Sequence, residues 1–188
     1  MLLPTEHAAE LDAHGTTRAA VLVPLVELRG RIHVVLTRRP ATMRRHAGEI
    51  AFPGGRSDDD DPTPTATALR EAHEEIGLRP ENVEVLGALS PVGTFVTGYA
   101  VYPVVGWVEH PGRWQLSPRE VDAVLELDLE ALRESHEQRR LVRQGVPFLT
   151  DTYTVDGHEV WGATGRMLKD LFARLPPDLV GAIDPAAR

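Results

Sequence analysis

"GEIAFPGGRSDDDDPTPTATALREAHEEIGL", residues 48–78, decides how this chain reads. Its second half predicts a helix over 64–76: Thr63 is a suitable N-cap, Pro64 fits the first turn, and Gly77 follows as a C-cap. Glu71, Glu74 and Glu75 then stand at i, i+3 and i+4, with their carboxylates directed to one side. Like charges at that spacing destabilise an isolated helix by roughly a few tenths of a kcal/mol per pair. A solvated face would explain a generic acidic trio. Here the opposite side carries Ala68, Leu69, Ala72 and Ile76, so the helix packs, and the segment follows Gly54-Gly55, a turn where backbone approaches a ligand closely. Hard carboxylate oxygens in this arrangement suit a divalent magnesium or manganese ion, which would relieve the repulsion and bridge the helix to phosphate oxygens. His73 is expected on another part of the helix, as a surface side chain.

Outward from this helix, "RAAVLVPLVEL" (18–28) and "RIHVVLTRR" (31–39) are apolar and rich in β-branched residues, which predicts two strands joined at Arg29-Gly30. Residues 48–55 read as a short strand ending in a glycine turn. Further strands are expected at 83–89 and 99–108, a strand running into a helix at 121–134, and a hairpin at 148–161 turning at Asp156-Gly157. Residues 164–175 form an amphipathic closing helix. Residues 1–16 are expected as an N-terminal arm or short helix, and residues 176–188 as a frayed tail. There is no internal repeat, heptad run or linker. The order of elements predicts an α/β (α+β) fold, a mixed β-sheet between α-helices, in one domain spanning 1–188.

The 188 residues are 42% hydrophobic and 26% charged, neither a disordered nor a fibrous composition. No apolar run approaches the length of a membrane span, and "MLLPTEHAAELDAHG" lacks the basic and hydrophobic regions of a secretory signal. With no cysteine there is no disulfide, thiol nucleophile or Cys-based zinc site. A cytoplasmic protein without a membrane partner is the expectation. The net charge of −8 argues against nucleic acid as a partner. Charge is uneven, however. Residues 27–47 hold Arg29, Arg31, Arg38, Arg39, Arg44 and Arg45 against the single acid Glu27. A local basic stretch in an acidic chain suits a small anionic ligand better than a polymer.

"GG…REAHEEIGL" resembles the signature of the Nudix hydrolases, with Arg70, Glu71, Ala72, Glu74, Glu75, Gly77 and Leu78 on its pattern. The resemblance implies Glu71 and Glu75 as principal metal ligands, Glu74 as a ligand or general base, and the Gly55 carbonyl as a further ligand. It implies that Arg70 pairs with the glutamates and fixes their orientation. Glu120, in a later loop, is an alternative base. One departure stands out. Fourteen residues (56–69) separate Gly55 from Arg70, one more than usual, and the expected midpoint glutamate is missing near the run Asp58–Asp61. That aspartate run is expected to be a solvated loop.

The stretch just upstream, "LTRRPATMRRHAGEIAFPGG" (36–55), resembles a second signature, that of the coenzyme A pyrophosphatase branch of Nudix hydrolases. Leu36, Thr37, Arg39, Arg44, Gly48, Phe52, Pro53, Gly54 and Gly55 match it, while Pro40 replaces a small residue. That branch shows the same one-residue-longer spacing, and the likeness extends over about residues 18–175. It implies metal-dependent hydrolysis of the diphosphate of coenzyme A to 3′,5′-ADP and 4′-phosphopantetheine. Arg39 and Arg44, joined by Arg38 and by the backbone at Gly54, would bind the anionic substrate. Arg38 and Arg45 read equally well as solvated, and His46 as structural. A homodimer is a family-level expectation. Two alternatives stay open: a pyrophosphatase for ADP-ribose, a dinucleotide or a nucleoside triphosphate, and a catalytically inactive ligand-sensing module.

Overall fold

The structure is a computed structural model and describes residues 1–42, 48–94, 98–143 and 145–176. Its central strand is β1 (Thr17–Leu28), an almost unbroken apolar run buried on both faces. A tight turn with positive φ at Arg29 (54°) and Gly30 (74°) returns the chain antiparallel as β2 (Arg31–Arg38). The same strand edge then changes partner. Leu25–Leu28 pair with β2, whereas Ala19–Val21 pair with β4 (Gly54–Arg56), which follows the two-residue β3 (Ile50–Ala51). This fork draws the Gly54-Gly55 pair into the sheet and under the helix that follows it.

That helix is α2 (Pro64–Ile76), preceded near the N-terminus by the short α1 (Thr5–Glu10). After it come β5 (Val83–Ala88), β6 (Val92–Gly93) and β7 (Tyr99–Val108). β7 lies parallel to β1 and antiparallel to β5, which makes the sheet mixed. β8 (Ala123–Asp128) pairs with the free side of β2 and leads into α3 (Leu129–Glu134). A second, three-stranded sheet contains β9 (Glu137–Arg143), β10 (Val146–Val155) and β11 (His158–Val160), and α4 (Gly162–Arg174) closes the described fold.

Strand alternation divides the core into two layers. Ala20, Leu22 and Val26 of β1 face Ala68, Ala72 and Ile76 of α2. Val23 and Leu25 face the other way, with Leu129 and Leu132 of α3 and Met167, Leu168 and Leu171 of α4. Each fully buried aliphatic side chain of this kind contributes about 1.5–3 kcal/mol. The predicted sheet between helices is therefore found. The other expected strands and helices are also found, but the expected glycine turn at the end of 48–55 is instead the start of β4, and β6 and the charged β9 are strands that the sequence does not announce. The N-terminal residues are fastened: Leu3 bridges Ala88, and the Met1 amine donates to the Arg174 carbonyl at 2.8 Å. Residues 177–188, most of the expected tail, lie outside the described residues.

Candidate active site

Two small residues, Ala68 and Ala72, let α2 approach the sheet closely, and Ile76 continues the same buried stripe. Thr63 caps the helix, its Oγ accepting the Ala66 N–H at 3.2 Å, and Gly77 ends it in the left-handed conformation (φ 70°). Glu71 and Glu75 flank the alanine stripe and turn toward β4. Glu75 is only 4% exposed, and its Oε2 accepts the Gly54 N–H at 3.2 Å. The Glu71 carboxylate rests against the α-carbon of Gly55: a Cβ there would sit 2.5 Å from its Cδ and Oε2. Gly54 is constrained as well, with φ +156° and the Ala20 carbonyl where a Cβ would go. Glu74 departs from its two neighbours. Its side chain is 56% exposed, and its contact with the cluster among the described residues is with Arg70.

Arg70 is the hub. Its Nε and Nη2 hold the two oxygens of Asp61 at 3.1 and 2.8 Å, Nη2 also donates to the Arg56 carbonyl at 3.0 Å, and Nη1 donates to Glu71 at 2.9 Å and to Glu74 at 3.5 Å. The expected pairing with the glutamates is present, but the principal partner is Asp61, which the sequence left in a solvated loop. Asp61 sits near the place of the missing midpoint acid, and the run Asp58–Asp61 thus contributes one deeply engaged aspartate. Its hydrogen bonds from Arg70 hold its carboxyl far below the usual carboxylate range, and Arg70 in turn is pushed well above its ordinary value.

Two further chain segments close on the glutamates. From the end of β2, Arg39 directs its charge toward Glu75, and its buried Nε has no hydrogen-bond partner among the described residues. From the loop between β7 and β8, Glu120 lies near enough to Glu71 and Glu75 to raise the proton affinity of both. Burial is the largest cause for each: it pushes Glu71 upward despite Arg70, and carries Glu75 to about 7. Arg38 does not join them. Its guanidinium donates twice to Asp122 Oδ2, at 3.0 and 2.7 Å. Arg44, Arg45 and His46 lie outside the described residues. Asp61 and Asp122 are the participants that the sequence did not single out. Neither carries a periodic signal, because their partners are fixed only by the folded chain.

The donor set fits a divalent cation. Carboxylates that repel one another, one of them buried, a glycine pair on which they close, and hard oxygen atoms are what such an ion requires. Among the described residues, no three carboxylate or histidine side chains form a ready-made cage. Glu71 leans on Arg70 and Glu75 on Gly54, an arrangement suited to an ion held by one or two carboxylates, waters and substrate oxygens.

Residues 16–145 match the model of the NUDIX domain. The chain belongs to the Nudix family. A curated relative from Enterobacter sp. (strain 638), described as uncharacterized Nudix hydrolase NudL, is 41% identical over 162 residues, covering 85% of this chain and 83% of the relative. Its namesake in Cronobacter sakazakii is 43% identical over 156 residues, covering 82% and 80%. Among solved structures, a Nudix hydrolase from M. smegmatis, RenU, shares the fold with a TM-score of 0.58 at 20% identity, covering 94% of this chain and 96% of the other. The chain is thus a Nudix hydrolase, a class that works with divalent metal ions. Among the described residues, no helix is long and apolar enough to cross a membrane.

Gly55→Ala is expected to displace the Glu71 carboxylate, because the new methyl group occupies its place. Overpacking of this kind costs about 1–3 kcal/mol. Turnover should fall more than about tenfold, since a misplacement near 1 Å suffices for a larger loss. Steady-state kinetics beside a melting curve checks it. Unchanged kinetics would show that the close approach is unimportant.

Proposed function

We propose that this Nudix hydrolase cleaves the diphosphate of coenzyme A, giving 3′,5′-ADP and 4′-phosphopantetheine. The observation that carries the hydrolytic reading is the buried Glu75 and part-buried Glu71, set against Gly54-Gly55, with an Arg39 Nε that has no partner among the described residues. The signature over 36–55 supports coenzyme A within the nucleoside diphosphate derivatives that the family hydrolyses.

Glu71 and Glu75, joined by Glu74 and the Gly55 carbonyl, would hold magnesium or manganese, which when bound neutralises charge on phosphoryl oxygens and lowers the pKa of a bound water. Arg70 keeps Glu71 in place and is otherwise occupied by Asp61. Arg39 pairs with a substrate phosphate, its orphaned N–H supplying the donor, and Arg44 with the ribose 3′-phosphate. Water attacks one phosphorus, the bridging P–O bond breaks, and the water proton passes to a carboxylate. We assign that carboxylate to Glu120, whose charge reaches both Glu71 and Glu75, with Glu74 as its competitor; both Glu120 and Glu74 are exposed. Positioning and electrostatics supply most of the acceleration.

The test is a panel of diphosphates with and without magnesium, following released product by chromatography. Coenzyme A should be cleaved in preference to ADP-ribose, dinucleotides and nucleoside triphosphates, and only with the ion. Tight binding without turnover would instead favour a ligand-sensing module. Arg44→Ala is expected to depress kcat/KM for coenzyme A by about tenfold or more relative to 3′-dephospho-coenzyme A, the scale of one lost charge-assisted contact. Equal losses on both substrates would remove the 3′-phosphate assignment.

A further inference from the structure

Arg38 and Arg39 are adjacent in sequence and separate in space. Successive residues of an extended chain point to opposite sides, and here both main chains continue the strand pairing: the Arg39 N–H donates to the Glu49 carbonyl, and the Asp122 N–H to the Arg38 carbonyl at 2.8 Å. Arg39 faces Glu75. Arg38 faces the other way and closes on Asp122. Asp122 lies just beyond the Arg38–Ala123 pair that begins β8, and two residues after Glu120.

The chain between is short and fastened at both ends. The Ser117 N–H donates to the Glu75 carbonyl at 2.9 Å, tying the turn to α2 itself. The Ser117 carbonyl then accepts from Glu120 at 3.0 Å and from Val121 at 2.9 Å. Thus Glu120 stands in a tight turn whose near end hangs on the glutamate helix and whose far end hangs on Arg38. The Arg38–Asp122 pair is solvent-exposed, with side chains 38% and 50% accessible. An isolated pair of that kind adds about 0–1 kcal/mol to stability, too little to argue for a role in folding. Its place in the chain argues for a role in aim.

We propose that Arg38 is a positioning residue: through Asp122 it fixes the Ser117–Asp122 turn and so holds Glu120 beside Glu71 and Glu75. The inference rests on the assignment of Glu120 to the reaction made above. It removes Arg38 from the substrate contacts that the sequence suggested and leaves the adjacent Arg39 there.

Arg38→Gln and Asp122→Asn discriminate, because they change local charge in opposite directions. If Arg38 acted through its field on substrate, the two variants would shift the kinetics oppositely. As a positioning pair they act alike: each lowers kcat on coenzyme A by about tenfold with KM unchanged, and the double variant loses no more than either single one. Hydrogen exchange supplies a readout independent of turnover. The Glu120 and Val121 amides should exchange about threefold faster in each variant and no faster in the double. A raised KM in Arg38→Gln with a silent Asp122→Asn would overturn the proposal in favour of substrate contact. Unchanged exchange in both would reduce the pair to a solvated surface contact. Should the native protein cleave no diphosphate, the functional assignment fails, and the exchange result still decides whether Arg38 clamps the turn.

Discussion

Glu75→Gln lowers turnover on the order of 10³-fold and, in the metal-free protein above pH 7, raises the melting temperature. Both effects come from one feature, a carboxylate that is 4% exposed and whose burial is offset in part by a backbone N–H at 3.2 Å and by the charge of Arg39. Desolvation first, then repulsion from Glu71 and Glu120, moves its pKa from 4.5 to about 7. A raised carboxyl pKa means that the folded chain binds the proton more tightly than the unfolded chain. Stability therefore falls as pH rises from about 4.5 to about 7, and the full penalty is present above that window. Each unit corresponds to about 1.4 kcal/mol, so the penalty is on the order of 3 kcal/mol at pH 8. At about 2–4 °C per kcal/mol for a chain of this size, the variant should melt several degrees above the native protein at pH 8. The gap should nearly close at pH 5. Added magnesium or manganese should stabilise the native protein and leave the variant almost unmoved. A variant that melts lower than the native protein at pH 8 would sink the account, as would one that keeps near-normal turnover.

The helix that carries this residue was legible down to its ends, because Thr63, Pro64 and Gly77 act locally: a hydroxyl cap, a preset φ, and a left-handed stop. The central strands were legible for a similar reason, since β-branched apolar runs such as 18–28 have few other places to go. What the sequence hid were relations settled between distant segments. Glu71, Glu74 and Glu75 looked equivalent, yet residues three and four positions on fall on opposite sides of Glu71, about 100° apart around the axis. Only Glu75 shares the buried side, and only the β1–β4 pairing decides which side that is. Strand β9, "EQRRLVR", has too little apolar alternation to stand out and exists because β10 pairs with it. Arg38 and Arg39 could not be told apart by charge. Their division comes from Asp122, far along the chain, reaching one of them.

The largest loss of stability is expected at Arg70. Arg70→Ala strips six hydrogen-bond contacts from Asp61, Glu71, Glu74 and the Arg56 carbonyl. The exposed contact to Glu74, at 3.5 Å, matters little. Asp61 is another matter: its side chain is 9% accessible, and without Arg70 it becomes a charge held away from water with no cation beside it. Removing one partner of a buried pair costs about 3–5 kcal/mol; because Arg70 itself is partly accessible, about 3 kcal/mol is the appropriate figure. The melting temperature should then fall by about 6–12 °C. Arg70→Lys should recover little, since a single ammonium cannot grip both Asp61 oxygens and still reach Glu71 and a carbonyl. The sign of the pH dependence follows from Asp61, whose folded pKa lies below its unfolded value. Its contribution is present in full above the unfolded value near 3.8 and fades as pH falls toward the folded one, so the gap between native and variant should be widest near neutral pH and narrow in acid. Asp61→Asn separates the two duties of the hub. It should cost stability while leaving Arg70 free to hold Glu71, so turnover should survive in it far better than in Arg70→Ala. Equal losses of turnover in the two variants would mean that Asp61, rather than Arg70 alone, sets the orientation of the catalytic helix.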